Sequence, residues 1–418
     1  MRRLVKPSLV SGAVQAPPSK SVAQRAIAMA TLANGVTEIY NPGNSNDSKA
    51  AVEICRALGA SIAEYPGKLV VTGGLQQPSQ ILNCGESGLG IRMFSAIAST
   101  FSAGVTLTGT GTLLKRPMQP IADALVQLGA ACSTSSGFLP ITVKGPINGG
   151  VVNIDGSQGS QVLTGLLVAS PLAKHDVTIR ATKLKSVPYV HLTIQMMHDF
   201  GVEVDVGSDI DFHVRAKQRY APCTYNVEGD WSGTAFMLVA GATAGEVEVK
   251  NLNPSSLQAD RAIVDALVMA GATVGVEKNG VYVKRNKLSH FEFDATNCPD
   301  LFPPLVALAS HCDGESKILG VSRLRVKESD RAATLVEEFA KLGIDIKIKD
   351  DLMVVQGGKV KSAWVHSHGD HRIAMACAVA ALSGEGNLTI EGAESVSKSY
   401  PRFFDDLNSI MTNSSLNV

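Results

Sequence analysis

Aromatic residues make up only 5% of this 418-residue chain, two tryptophans among them, although 45% of it is hydrophobic. A core of that size, filled by Ala, Val, Leu and Gly rather than by rings, fits an α/β protein with two or more domains. Net charge is missing too, since 38 basic and 38 acidic residues cancel. A nucleic-acid partner would call for a basic excess, so the local Lys/Arg clusters point instead to a small anion. The seven cysteines (55, 84, 132, 223, 298, 312 and 377) contain no Cys-x-x-Cys pair. Neither a disulfide frame nor a zinc ribbon is expected, and scattered reduced thiols point to the cytoplasm. No apolar segment follows the basic start Met1-Arg2-Arg3, which excludes a secretory signal. The longest uncharged stretch, Met93 to Leu114, is full of Ser, Thr and Gly. It reads as a buried helix running into a strand, and no membrane partner is expected.

What the chain does have is a period. Glycines 59, 129, 201, 271 and 343 each close an amphipathic helical pattern and precede a strand pattern, stepping by 70, 72, 70 and 72 residues. Such self-similarity marks a repeat architecture, and each glycine is expected to end its helix in the left-handed conformation. A sixth helix, Phe403 to Ile410, arrives near the end without strands behind it, whereas Leu4 to Ala16 offers strands without a helix in front. The two termini therefore belong together. The expected organisation is six helix-strand units in two lobes of three, one lobe made of 1–18 plus 229–418 and the other of 19–228. Two crossings, near Pro17-Pro18 and Glu228-Gly229, would act as a hinge, with the ligand in the cleft it controls.

Two charged clusters carry the chemistry. Arg325-Val326-Lys327-Glu328-Ser329-Asp330-Arg331 runs straight into the apolar helix pattern Ala332 to Phe339, so Ser329 and Asp330 read as N-cap residues and the charges crowd a helix N-terminus. By itself this could be a salt-bridged surface turn. Near the other end, Lys20 and Ser21 follow Pro17-Pro18 at a helix start, with Arg25 one turn on, where an anion would meet an ammonium, a hydroxyl and a guanidinium. Asp300, in Asn297-Cys298-Pro299-Asp300 before an apolar helix, is either an N-cap or an acid. Gly85 to Arg92 is a glycine-rich turn suited to phosphate. His366, His368 and His371 lie within six residues, but metal ligation would want a further acid or cysteine, so no metal is expected. Arg372 reads as an anion clamp braced by Asp370 and His371.

In this order, Ser19-Lys20-Ser21…Arg25, Arg325 to Arg331, Asp370-His371-Arg372 and Lys398-Ser399-Tyr400-Pro401 make the chain resemble the 5-enolpyruvylshikimate-3-phosphate (EPSP) synthases over nearly its whole length. The resemblance implies a two-lobed inside-out α/β barrel fold of six repeated units, three per lobe, closing on ligand. It implies transfer of the enolpyruvyl group of phosphoenolpyruvate to the 5-hydroxyl of shikimate 3-phosphate, without cofactor, by a monomer. Carried over position by position, Lys20, Ser21, Arg25, Ser160, Gln161, Ser186, Tyr189, Asp300 and Lys327 would hold shikimate 3-phosphate. Lys20, Gly88, Arg116, Gln161, Glu328, Arg331, Arg372 and Lys398 would hold phosphoenolpyruvate, and Asp300, Glu328 and Lys20 would handle protons. Tyr189 is equally readable as a core aromatic with a wet hydroxyl.

Four positions depart from the family pattern: Glu86 for Asn, Leu89 for Thr, Gly159 for Ser and Arg323 for Asn. Glu86 beside an anion calls for a compensating cation, Arg92 or Arg116. Gly159 removes one hydroxyl donor to phosphate, for which a backbone N–H or Ser157 would substitute. Two rival readings remain. A UDP-N-acetylglucosamine enolpyruvyl transferase would share the fold, but starts with Lys-Asn and carries a reactive loop cysteine. A non-catalytic organophosphate-binding hinge protein would need the cations, not Asp300 and Glu328.

Overall fold

The computed structural model describes residues 1–208, 210–325 and 327–412. The chain forms two compact units, Met1–Ser19 with Glu228–Val418, and Lys20–Val227. In the Lys20–Val227 unit the helices are α1 (Lys20–Leu32), α2 (Asn46–Ala57), α3 (Gly88–Ala98), α4 (Gln119–Gln127), α5 (Gln161–Ala169) and α6 (Val187–Asp199). The terminal unit holds α7 (Trp231–Ala244), α8 (Ile263–Met269), α9 (Phe302–Ala309), α10 (Arg331–Lys341), α11 (His371–Ala381) and α12 (Phe403–Ile410). No helix among the described residues is long and apolar enough to cross a membrane.

The helices are of two kinds. Every residue of α3, α7, α9 and α11 is buried, as is α1 from Val22 to Thr31 and α5 from Leu163 to Ala169. Their composition explains it, since Ala, Gly and Ser leave no bulky polar face to solvate and a helix apolar all round must lie inside. The others are amphipathic; α10 buries Ala332, Leu335 and Phe339 and turns Glu337 and Lys341 outward.

Among the described residues each unit has three sheets. In the Lys20–Val227 unit, one runs Thr224–Asn226, Val36–Tyr40, Lys68–Thr72, Ser61–Tyr65, the first pair parallel and the rest antiparallel. The sheets built on Val105–Thr108 and on Val177–Thr182 repeat that order and sense. In the terminal unit the N-terminal segment completes two sheets. Val10–Gln15 lies parallel to Gly245–Lys250, and Arg2–Val5 lies antiparallel to Leu388–Glu391. Glycines 59, 129, 201, 271 and 343 all have positive φ, between 79° and 104°, the backbone a helix-ending glycine adopts without a Cβ penalty. The chain leaves the terminal unit at Ser19 and re-enters at Glu228, and both points are fixed there. Ser19 N–H donates to the Glu228 carbonyl and Asp230 N–H to the Pro17 carbonyl, while the Gln258 amide holds Glu228 and the Gly229 carbonyl.

Candidate active site

Most expected site residues stand at or near the N-terminal ends of the buried helices or in the turns before them. In the Lys20–Val227 unit, Lys20 opens α1 and its ammonium lies 3.1 Å from Asp47 in the first turn of α2. Asp47 carries no spacing signal relative to Lys20 and went unread in the sequence. Arg25, one turn along α1, is 2% exposed, so it is no surface residue. It donates to the Thr193 hydroxyl (2.9 Å), the Thr164 hydroxyl (3.3 Å) and the Ser21 carbonyl (2.9 Å). Arg92 in α3 donates to the carbonyls of Gly88 (2.8 Å) and Pro117 (3.1 Å). Arg116 lies against Gly88, where an added Cβ would stand 2.1 Å from its Nη1. Its Nε is buried without a hydrogen-bond partner. Among the described residues no carboxylate pairs with Arg25, Arg92 or Arg116. Burial therefore dominates and lowers Arg25 to about 10; burial, then the neighbouring Arg116, lowers Arg92 to about 9. Both remain charged at neutral pH, held by neutral oxygens, with their positive field unspent.

Two of the departures from the family pattern lie in loops of this unit whose local bonding is defined. Glu86 accepts from the Thr112 N–H (2.7 Å) and hydroxyl (2.8 Å), bracing the next loop, while Arg92 is turned to carbonyls. At Gly159 the backbone N–H is already given to the Gly156 carbonyl, and Ser157 is engaged with Asp155. Gly159 itself has φ +124°, a conformation in which serine would be strained. Ser160 precedes α5 as its N-cap, buried and without a side-chain capping bond, and Gln161 is the first residue of that helix. Ser186, at φ 57°, caps α6, and Tyr189 packs at the edge of the core near Arg25. Leu89 is buried in the first turn of α3.

The terminal unit is built the opposite way. Arg331, the first residue of α10 and fully buried, touches three carboxylates: Asp370 through Nε (2.9 Å), Asp300 through Nη1 (2.9 Å) and Glu328 through Nη2 (2.7 Å). Asp300 sits in the 3-10 turn Pro299–Leu301 before α9, and its job is not capping. Its Oδ1 also faces Lys327 (3.5 Å) and its Oδ2 faces Arg372 (3.1 Å). Burial pushes Asp300 up, but Arg372, Lys327 and Arg331 outweigh it and hold the carboxyl well below the usual range. Burial pushes Arg331 down, and Asp370, Glu328 and Asp300 reverse that and raise it.

Asp370 caps α11 through the Arg372 N–H (3.0 Å) and accepts from the Ser329 hydroxyl (3.2 Å). Arg372 donates to His371 Nε2 (2.7 Å). An arginine can only donate, so His371 carries its proton on Nδ1, which faces Asp370 at 3.8 Å. Asp370 and His371 thus brace Arg372. Lys398 donates to the Gly369 carbonyl (2.6 Å) in the turn before α11. Arg323 is buried and donates to the Thr296 carbonyl (2.6 Å).

The fold supplies the acids that a metal at the histidines would want, since Glu337, Glu338 and His368 bring ligand atoms within 4.8 Å of one another. Lys341, however, lies 2.8 Å from Glu338 and 3.3 Å from Glu337, so an ammonium already provides the charge a metal would bring. His371 belongs to the Arg372 cluster instead.

Comparisons with known proteins identify the family of the chain. The family model described as EPSP synthase (3-phosphoshikimate 1-carboxyvinyltransferase) matches residues 4–407. A 3-phosphoshikimate 1-carboxyvinyltransferase of Methanocorpusculum labreanum is 38% identical over 416 residues, 98% of each chain. That of Methanocaldococcus jannaschii is 38% identical, covering 98% of this chain and 97% of its own. The solved EPSP synthase of Acinetobacter baumannii superposes with a TM-score of 0.83 at 25% identity, covering 98% of both chains.

Proposed function

The chain belongs to the EPSP synthase (3-phosphoshikimate 1-carboxyvinyltransferase) family, and from that premise we propose how its residues perform the reaction. The enzyme moves the enolpyruvyl group of phosphoenolpyruvate to the 5-hydroxyl of shikimate 3-phosphate and releases phosphate, in the shikimate pathway toward aromatic amino acids. The observation that carries the assignment of roles is Arg331 with Asp300 and Glu328 on its two Nη atoms. An anion sensor has no use for two carboxylates held in register, whereas an addition-elimination needs groups to take and give protons. The UDP-N-acetylglucosamine alternative is not favoured, because the relatives named above are 3-phosphoshikimate 1-carboxyvinyltransferases over nearly their full length.

In the addition, the methylene carbon of phosphoenolpyruvate takes a proton, C2 becomes cation-like, and the 5-hydroxyl oxygen bonds to C2 as its proton leaves. In the elimination, the methyl group of the tetrahedral intermediate loses a proton, the C=C bond re-forms, and the C2–O bond to phosphate breaks. Asp300, kept ionised by Arg372, Lys327 and Arg331, is assigned as acceptor of the hydroxyl proton. Glu328 and Lys20 are the groups assigned to the carbon proton. Arg116, Gly88, Arg372, Lys398 and Gln161 hold phosphoenolpyruvate; Ser21, Arg25, Ser160, Gln161, Ser186, Tyr189 and Lys327 hold shikimate 3-phosphate. Arg331, expected at phosphoenolpyruvate, has three acids on its guanidinium and is assigned the alignment of Asp300 and Glu328. Fixed charges that need no reorganisation are the main source of rate in such a site.

We read the six sheets as six copies of one helix-strand unit, three to each inside-out barrel. Seven free thiols fit a reducing compartment such as the cytoplasm. The test is phosphate release on mixing the purified chain with both substrates. Release that needs shikimate 3-phosphate supports the reading. No release, or release with UDP-N-acetylglucosamine in its place, contradicts it.

A further inference from the structure

Arg323 stands where the family pattern has asparagine, and its surroundings give it a task. It lies in the 3-10 turn Val321–Leu324, four residues before Lys327. That turn is tied down from one side by Asp351, whose carbonyl accepts from Gly320 and Val321 N–H and whose carboxylate accepts from Ser322 N–H (2.7 Å). On the other side it abuts the loop leading to Asp300; a Cβ on Gly320 would stand 2.9 Å from Thr296 Cα. The buried Arg323 guanidinium crosses to that loop and donates to the Thr296 carbonyl at 2.6 Å.

Lys327 is the weak member of the group around Asp300. It shares Asp300 Oδ1 with Arg331, which is nearer (2.9 against 3.5 Å), while Arg372 occupies Oδ2. Of the charges that act on Lys327, Asp300 and Glu328 favour its ammonium, and Arg323 and Arg331 oppose it. Burial is the largest effect, and the sum brings Lys327 from 10.5 down to about 8. The arginines here cannot release a proton near neutral pH, so Lys327 is the cation of the cluster that titrates first.

We propose that Arg323 is a positioning residue of the acid-base cluster: it holds the Asp300 loop by the Thr296 carbonyl and crowds Lys327 with a second buried cation, so that Lys327 sets the alkaline limit of the reaction. The working form is the ammonium, which neutralises Asp300 and contacts shikimate 3-phosphate. As pH rises through the value for Lys327, that form is lost and kcat/KM falls. Removing the charge of Arg323 relieves the ammonium, so the fall moves to higher pH. A purely structural arginine would lower activity at every pH and leave the limb in place.

The inference rests on the function proposed above, and the test separates the two. Phosphate release by the wild-type chain at neutral pH answers for the function. For Arg323, kcat/KM for shikimate 3-phosphate is profiled against pH in wild type, Arg323→Met and Arg323→Lys. The expected result is an alkaline limb displaced upward by about one pH unit in Arg323→Met and unmoved in Arg323→Lys. In parallel, competitive acylation of Lys327, read by mass spectrometry on the unliganded protein, follows the neutral amine directly and needs no activity. It should show the same upward displacement in Arg323→Met. An unmoved limb with unmoved Lys327 acylation overturns the proposal. So does an acylation midpoint that moves while the limb of an active variant stays.

Discussion

With the exception of Arg323, which is bound to a carbonyl and lowered by burial, the two units bury their arginines by opposite rules. In the Lys20–Val227 unit, Arg25 and Arg92 sit among hydroxyls and carbonyls, and burial lowers both. In the terminal unit, Arg331 and Arg372 sit among carboxylates, which overcome burial and raise both. Neutral partners fix a guanidinium in place while leaving its charge for a ligand. Carboxylate partners spend that charge locally and gain in return a set of aligned acids. The first arrangement suits a receptor for anions, since its buried charge is held by neutral oxygens. The second is close to neutral when empty and suited to moving protons. Two substrates rich in phosphate and carboxylate, joined through a proton-dependent addition, call for both.

The largest effects should come from the carboxylates. Asp300→Asn and Glu328→Gln are expected to cut turnover by about 10²–10⁴-fold with far smaller changes in substrate affinity. Steady-state phosphate release on folded variants checks this, and near-wild-type turnover would remove either residue from the proton chemistry.

The next effect separates the two kinds of arginine. Arg116→Ala and Arg372→Ala should each weaken phosphoenolpyruvate by roughly 1.5–3 kcal/mol, the worth of a charge-assisted contact. Only Arg372→Ala should also lower kcat, because it strips a cation from Asp300. If both variants change KM alone, or both change kcat, the division between the units fails.

A smaller effect is expected at Gly88→Ala. The new methyl would meet the Arg116 guanidinium at 2.1 Å, so the guanidinium must move and the phosphoenolpyruvate KM should rise by about 10-fold, on the order of 1.4 kcal/mol. Shikimate 3-phosphate affinity should be unchanged in titration calorimetry. Smallest is Ser160→Ala, worth about 0.5–1.5 kcal/mol of shikimate 3-phosphate binding and nothing for phosphoenolpyruvate; a reversed preference would mean that the ligands are assigned to the wrong residues.

How much of this was legible follows from which constraints are local. The helix-ending glycines could be read because left-handed backbone is a one-residue requirement, and all five positions adopt it. The Asp330 cap is likewise settled within three residues. The charge pairing was not legible. Of the acids on Arg331 only Glu328 is local; Asp300 is 31 residues away and Asp370 is 39. No spacing rule predicts which of several nearby cations an acid will choose once the fold has gathered them. Glu86 shows the same limit, since nothing in its spacing foretold that it would accept from the Thr112 N–H and hydroxyl, 26 residues on.

The most direct test of the difference between the units compares Arg331→Met with Arg25→Met in thermal unfolding without ligand. Taking away Arg331 leaves Asp300, Glu328 and Asp370 without their shared cation, which should cost about 3–5 kcal/mol, roughly 6–20 °C in a cooperative unit of ~200 residues. Taking away Arg25 leaves Thr164 and Thr193, which already hydrogen-bond each other at 3.2 Å, and relieves a buried charge, so the shift should stay within about 1 kcal/mol in either direction. Equal losses in the two variants, or a larger loss for Arg25→Met, would contradict the account.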